Sequence, residues 1–183
     1  IGATVHRHFD RLLKIWPDAR FIHIVRDGRD VARSCIGMGW AGNVWHGVEE
    51  WIRVEKLWKE FSQNIPADRK LEIAYEDLIV NYVDTLKKIS GFIGVDYDPA
   101  MLDYVNSSDY ALPEPKLIHQ WKKKQSDREI QLLENRIGSM LVERGYSLSG
   151  LAPVKVNAVD KELLKIHSWW GKLQFRSNRL GPG

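Results

Sequence analysis

Three observations predict an α/β fold built on an open parallel sheet with flanking helices. A short apolar, β-branched run, Phe21-Ile-His-Ile-Val25, stops abruptly at Arg26 and passes through Asp27-Gly28 towards a helical pattern. A second, alternating run from Lys70 to Tyr75 ends in a turn at Tyr75-Glu-Asp-Leu78. Helical patterns separate and follow the two runs, and strand–helix alternation is what a parallel sheet requires. Two strands are few for such a sheet, so part of it is expected to be missing.

Each element has its own signal. Val5, Phe9, Leu12, Leu13 and Trp16 recur at helical spacing, which predicts a helix over residues 4–16 that Pro17-Asp18 stops. The strand at 21–25 reads as buried. The helix after it starts near Arg29, with Asp27 as N-cap and Asp30 three residues on. Residues 37–42 form a loop. A long helix is expected over 44–61, with Trp45, Trp51 and Trp58 at near-helical spacing as core residues. A helix follows over 82–93 with Gly94 as its C-cap. A short helix opens on Pro99, and 106–125 reads as a polar loop. Ser126-Asp-Arg-Glu129 is a capping box, opening a helix that Gly145 ends. Residues 151–183 hold six Lys or Arg against two Asp or Glu, and one amphipathic helix is expected over 160–170. Trp169-Trp170 fits packing on the body, on a partner or at a membrane surface.

Composition narrows the function. The chain has 183 residues, enough for one domain with a real core, and a net charge of +3, too small to imply nucleic acid. No apolar run reaches the roughly twenty residues of a membrane span. Cys35 is the one cysteine, which excludes an internal disulfide and a cysteine zinc cluster. His6 and His8 stand two apart with no third ligand in view, so no metal is expected. A reducing, cytoplasmic compartment fits this cysteine usage. The chain opens on Ile1 with a helical pattern from Thr4, so the expectation is a piece lacking its natural beginning, with which a targeting or anchor segment could have been lost.

The chemistry concentrates at Arg26. Ligands of open α/β sheets sit beyond the carboxyl ends of strands, and Arg26 stands at such an end. A guanidinium fork matches a phosphate in bidentate geometry. The following helix start offers backbone N–H groups, and Ser34 shares a helix face with Asp27 and Asp30. Arginine, helix start and hydroxyl together read as an anion pocket. Arg26 also fits an ion pair with Asp27, Asp30 or Glu76. Gly37-Met-Gly39-Trp-Ala-Gly42 satisfies G-x-G-x-x-G but follows a helix, so the dinucleotide fingerprint lacks its context. His23 to Asp27 has the look of a kinase catalytic loop, without the Asn five residues after its Asp.

Pro17-Asp-Ala-Arg-Phe-Ile-His-Ile-Val-Arg-Asp-Gly-Arg-Asp-Val-Ala-Arg-Ser34 resembles the 3′-phosphate-binding segment of sulfotransferases that use 3′-phosphoadenosine-5′-phosphosulfate. Tyr75-Glu-Asp-Leu78, followed by a helix and Phe92-Ile-Gly94, resembles the family's second landmark. His119-Gln-Trp121-Lys122, a capped helix and Leu141-Val-Glu-Arg-Gly-Tyr146 resemble its closing pattern. Order and spacing agree from about residue 8 to 146. The resemblance implies a P-loop-type α/β sheet. It implies that Arg26 and Ser34 bind the donor's 3′-phosphate and that Tyr75 lies against the adenine. Lys116 would close on the same phosphate, with Trp121 and Lys122 in the closing loop. It implies no metal, and an acceptor bearing a hydroxyl or amine. The family's phosphosulfate loop and leaving-group cation would lie ahead of Ile1, so this piece by itself is expected to be inactive. Some members carry a histidine base shortly before this segment, where His6 or His8 stands. On this reading residues 1–150 are the C-terminal part of a sulfotransferase domain and 151–183 a basic extension. The rivals are a P-loop nucleotide kinase and a non-catalytic nucleotide-binding or assembly module.

Overall fold

In the computed structural model, residues 2–5, 8–106 and 112–180 are described. Two units emerge: residues 1–26 with 56–118, and residues 27–55 with 119–183.

The first unit is organised by aromatic packing against a small sheet. Strand β1 (Phe21–Val25) pairs in parallel with β2 (Lys70–Ala74), Phe21 opposite Lys70 and Val25 opposite Ala74. The side chains of β1 alternate: Phe21, His23 and Val25 are buried, Ile22 and Ile24 exposed. The strand is therefore half-buried rather than buried on both faces. Among the described residues the sheet has two strands, and one face packs on an aromatic cluster. That cluster joins Phe9, Phe21, Trp58 and Ile65, with Phe61 in ring contact with both Phe9 and Phe21 at 5.1 Å. Helix α1 (Phe9–Ile15) turns Phe9, Leu12 and Leu13 to the cluster. It starts five residues later than the periodicity predicts, because His8 adopts a left-handed backbone (φ 57°) and no side chain caps the helix.

The second unit is helical. Helix α2 (Gly28–Gly37) packs on α3 (Val44–Gly47), and both pack on α8 (Asp127–Glu143). Ala32, Val44, Val48, Trp51, Leu133, Ile137 and Leu141 form its core. The helix expected over 44–61 is broken at Val48 (φ −88°, ψ −5°) into α3 and α4 (Glu49–Ser62). Gly47 lies at the break, pressed so closely on α2 that a Cβ would stand 2.5 Å from the Ala32 carbonyl oxygen. The division between the units falls within α4, after Glu55. Trp45 and Trp51 are buried in the second unit and Trp58 in the first, as core residues should be.

The caps act as their residues predict. Ser126 Oγ accepts from the Glu129 N–H while Glu129 accepts from the Ser126 N–H at 2.9 Å. In the first unit Gly94 (φ 84°) ends α6 (Tyr82–Ile93), which follows α5 (Tyr75–Val80). The predicted loop 106–125, of which 107–111 lie outside the described residues, is partly helical: Pro115–Leu117 makes a 3₁₀ turn, and Trp121–Lys124 forms α7.

The last helix is twice as long as the amphipathic pattern suggests. Helix α9 runs over Ala158–Leu180. Its start carries a reciprocal cap that the reading missed: Asn157 and Asp160 each accept the other's backbone N–H at 2.9 Å. It docks on the 39–43 loop. The Asn43 amide donates to the Leu164 carbonyl at 2.6 Å, and the Gly42 N–H donates to Ser168 Oγ at 3.1 Å. The G-x-G-x-x-G look-alike now has a packing explanation. A Cβ at Gly42 would stand 2.2 Å from the Ser168 carbonyl oxygen, and one at Gly39 2.2 Å from the Phe175 ring. No helix among the described residues is long and apolar enough to cross a membrane.

Candidate functional site

Parallel pairing in register decides where the first motif residues go. Because Val25 lies opposite Ala74, the residues after the two strands emerge at the same sheet edge. Those residues are Arg26 and Tyr75. The Arg26 guanidinium lies over the Tyr75 ring, 4.5 Å from its centroid, and its Nη2 donates to the Leu117 carbonyl at 2.9 Å. A planar cation half-buried at a strand end is thus held on a face and an edge. Tyr75 presents one ring face to Arg26 and opens α5. Lys116, next to the carbonyl that Arg26 holds, is exposed and paired with Glu114 at 2.6 Å. Arg26, Tyr75 and the 3₁₀ turn carrying Lys116 therefore meet within the first unit.

The second half of the motif is fixed by different means. Asp27 caps α2, accepting from the Arg29 N–H at 2.9 Å and from the Arg29 guanidinium at 2.8 Å and 3.0 Å. Asp27 is 1% exposed and Arg29 2%. The same guanidinium donates to Glu134 at 2.7 Å and to the Ser147 carbonyl at 3.0 Å. Trp121 covers it, with the ring centroid 3.7 Å from the guanidinium carbon. Gln125 donates to the Arg29 carbonyl and the Trp121 N–H donates to Asp30, both at 2.8 Å. Asp30, expected as part of a local capping box, is instead a long-range acceptor that anchors α7.

This arrangement corrects one expectation about the helix start. The Arg29 N–H is taken by its own N-cap, and the Asp30 N–H bonds to the Asp27 carbonyl at 3.0 Å. Those two groups are committed inside the protein. Ser34 is exposed on α2. Trp121 is buried and Lys122 exposed, its Nζ 5.5 Å from the Trp121 ring centroid. Ser34, Trp121 and Lys122 belong to the second unit, Arg26, Tyr75 and Lys116 to the first.

Other residues find structural roles. His23 is buried, stacked on Trp58 at 4.5 Å with Glu72 3.6 Å from its Nδ1, which accounts for the kinase-like spelling. His8 is exposed before α1, and His6 lies outside the described residues. Burial, reinforced by nearby Glu50, pushes the Cys35 thiol above its ordinary pKa. The residue that sequence reasoning missed is Arg29. Its flanking Asp27 and Asp30 were a signal of pairing. Glu134, 105 positions away, was not legible.

The small parallel sheet with flanking helices is shared with solved sulfotransferase domains. The sulfotransferase domain of the curacin biosynthetic pathway aligns with a TM-score of 0.56 at 18% identity, over 72% of this chain and 55% of that one. The sulfotransferase domain of the Synechococcus PCC 7002 olefin synthase aligns with a TM-score of 0.55 at 23% identity, over 71% and 50%. These likenesses define the class of fold. The model of the sulfotransferase family matches residues 3–99, more than half of the chain, and the chain belongs to that family. A protein-tyrosine sulfotransferase of Drosophila melanogaster is 25% identical over 99 residues, 51% of this chain. The chain spans about a fifth of that relative's length and about half of each solved domain.

Proposed function

We propose that the protein transfers a sulfuryl group from 3′-phosphoadenosine-5′-phosphosulfate to a hydroxyl or amine, and that this chain grips the nucleotide end of the donor. The observation that carries the reading is Arg26: a guanidinium at the carboxyl end of a parallel strand, oriented by the Tyr75 ring and the Leu117 carbonyl. A planar fork set in advance loses little entropy on meeting a phosphate. The motif register, rather than geometry, extends the proposal to Ser34, Lys116, Trp121 and Lys122, and gives Tyr75 a place beside the adenine.

In the reaction, the acceptor oxygen or nitrogen forms a bond to sulfur as the bond from sulfur to the donor's phosphate oxygen breaks. The acceptor's proton departs, and adenosine 3′,5′-bisphosphate is released. Such transfers rely on positioning and on neutralising charge. The 3′-phosphate takes no part in bond change, so binding energy gained there orients the reacting end. A hydroxyl acceptor draws support from the fly relative, whose name specifies tyrosine. The sequence register that supports this donor does not favour the kinase reading.

Calorimetric titration tests the proposal. Adenosine 3′,5′-bisphosphate should give binding heat and ATP with Mg²⁺ none. Arg26→Ala should weaken the bisphosphate by roughly 10- to 150-fold, the usual worth of a charge-assisted hydrogen bond. Unchanged affinity in that variant removes Arg26 from the site. Heat with ATP alone returns the question to a kinase, and heat with neither nucleotide to a non-catalytic module.

A further inference from the structure

Helix α9 has two faces with different fates. Its inner face carries Leu164, Ser168, Gly171 and Phe175 against the 39–43 loop. At about 100° per residue, Val159, Leu163, Ile166, Trp170 and Leu173 line the opposite side in one strip. Val159, Leu163, Ile166 and Trp170 are exposed, as is Trp169 beside the strip, at 54% against 61% for Trp170. The two indoles touch each other, 5.2 Å between centroids. Packing on the body, which the sequence also allowed for this pair, is not what they do.

The charges are not scattered around this strip. By the same angular count, Lys165, Lys172 and Arg176 run along one edge, and Lys161 and Arg179 lie on that side nearer the body. Asp160 and His167 lie on the other edge, and Glu162 faces Lys165 at 3.7 Å. Lys161 and Lys165 also line a cleft of about 510 Å³ with Glu162, His46 and Arg136, where this edge meets α3 and α8. The helix holds five Lys or Arg against two acidic residues.

We propose that α9 is a membrane-surface helix that seats its apolar strip in the interface of an anionic lipid bilayer. Indole rings prefer the headgroup level, and Lys and Arg beside an apolar strip reach anionic headgroups while their stems stay in the apolar layer. Net charge favours an anionic bilayer over a second copy of this chain as occupant. Two such helices would each bring a net positive charge, and antiparallel pairing would set the two cationic edges against each other. Docking by Gly42, Gly171 and Ser168 holds the inner face, so the strip is presented without unfolding the helix.

Vesicle co-sedimentation of the full 183-residue chain tests this. Phosphatidylserine-rich vesicles should bind it at least about tenfold more tightly than pure phosphatidylcholine, and salt should weaken that binding. Ile166→Glu with Trp170→Glu should abolish binding. Lys165→Glu with Lys172→Glu should weaken it roughly fivefold or more per residue changed. Brominated lipids should quench tryptophan emission of the unaltered chain, a readout that needs no variant. Equal partition into both vesicle types, or none into either, overturns the proposal. So does a dimer, seen by sedimentation velocity, that Ile166→Glu dissociates while vesicles remain unbound.

Discussion

The two units hold the two halves of one nine-residue motif, Arg26 to Ser34, by different physics. In the first unit Arg26 is placed by backbone: parallel pairing of β1 with β2 brings it beside Tyr75, whose ring it covers, and it donates to the Leu117 carbonyl. In the second unit Asp27, Arg29 and Asp30 are placed by buried side chains reaching α7, α8 and the Ser147 carbonyl. The first arrangement holds a half-buried cation at the end of the small sheet. The second consumes its charges internally, where a buried cation needs full pairing. Two arginines three positions apart in one motif therefore differ in burial: Arg26 is half-buried at a strand end and Arg29 is enclosed.

The largest effect should come from breaking the second arrangement. Arg29→Ala strands Asp27 and Glu134 without their buried partner and should destabilise the protein by about 3–5 kcal/mol, read from chemical unfolding. Arg26→Ala sharpens the contrast. It should cost less stability than Arg29→Ala, because Arg26 is half-buried where Arg29 is enclosed, while bisphosphate binding weakens as described above. If instead Arg26→Ala unfolds the chain and Arg29→Ala does not, the comparison is inverted. Gly42→Ala tests the close approach within the helical unit. Its Cβ would meet the Ser168 carbonyl, and overpacking of this kind should lower stability by about 1–3 kcal/mol.

The smallest effect is pH dependence. Burial lowers the His46 pKa, opposed by Glu49 and assisted by Arg136, Lys172 and Lys165. The folded imidazole therefore binds a proton less readily than the unfolded one, whose value is about 6.5. The unfolded state takes up more protons as pH falls below that value, so this contribution to stability is complete above it and declines towards acid. His46→Gln should flatten the stability profile between about pH 7 and pH 5. An unchanged slope would remove His46 as its source.

Much of the first unit was legible in residue order. The run Phe21–Val25 and its abrupt end at Arg26 are local patterns that became the expected elements, whereas the turn expected at Tyr75-Glu-Asp-Leu78 is the start of helix α5. The strand's exposed face was not legible, because an apolar run looks the same whether one face or two are covered. The start of α1 was missed because nothing local in His8 announces a left-handed backbone. In the second unit the capping box at Ser126 was plain, while the partners of Arg29 were not. Glu134, Ser147 and Trp121 are scattered along the chain, and only folding makes them neighbours.

Sequence alone determined the two strands, the cap at Ser126 and the motif register that marks the family, because hydrophobic period, capping chemistry and turn residues act over a few positions. Tertiary structure alone decided which arginine would be buried, why the loop glycines are needed and which face of α9 would stay uncovered. Those outcomes depend on what meets a residue from far along the chain, and burial energies belong to the pair rather than to either partner.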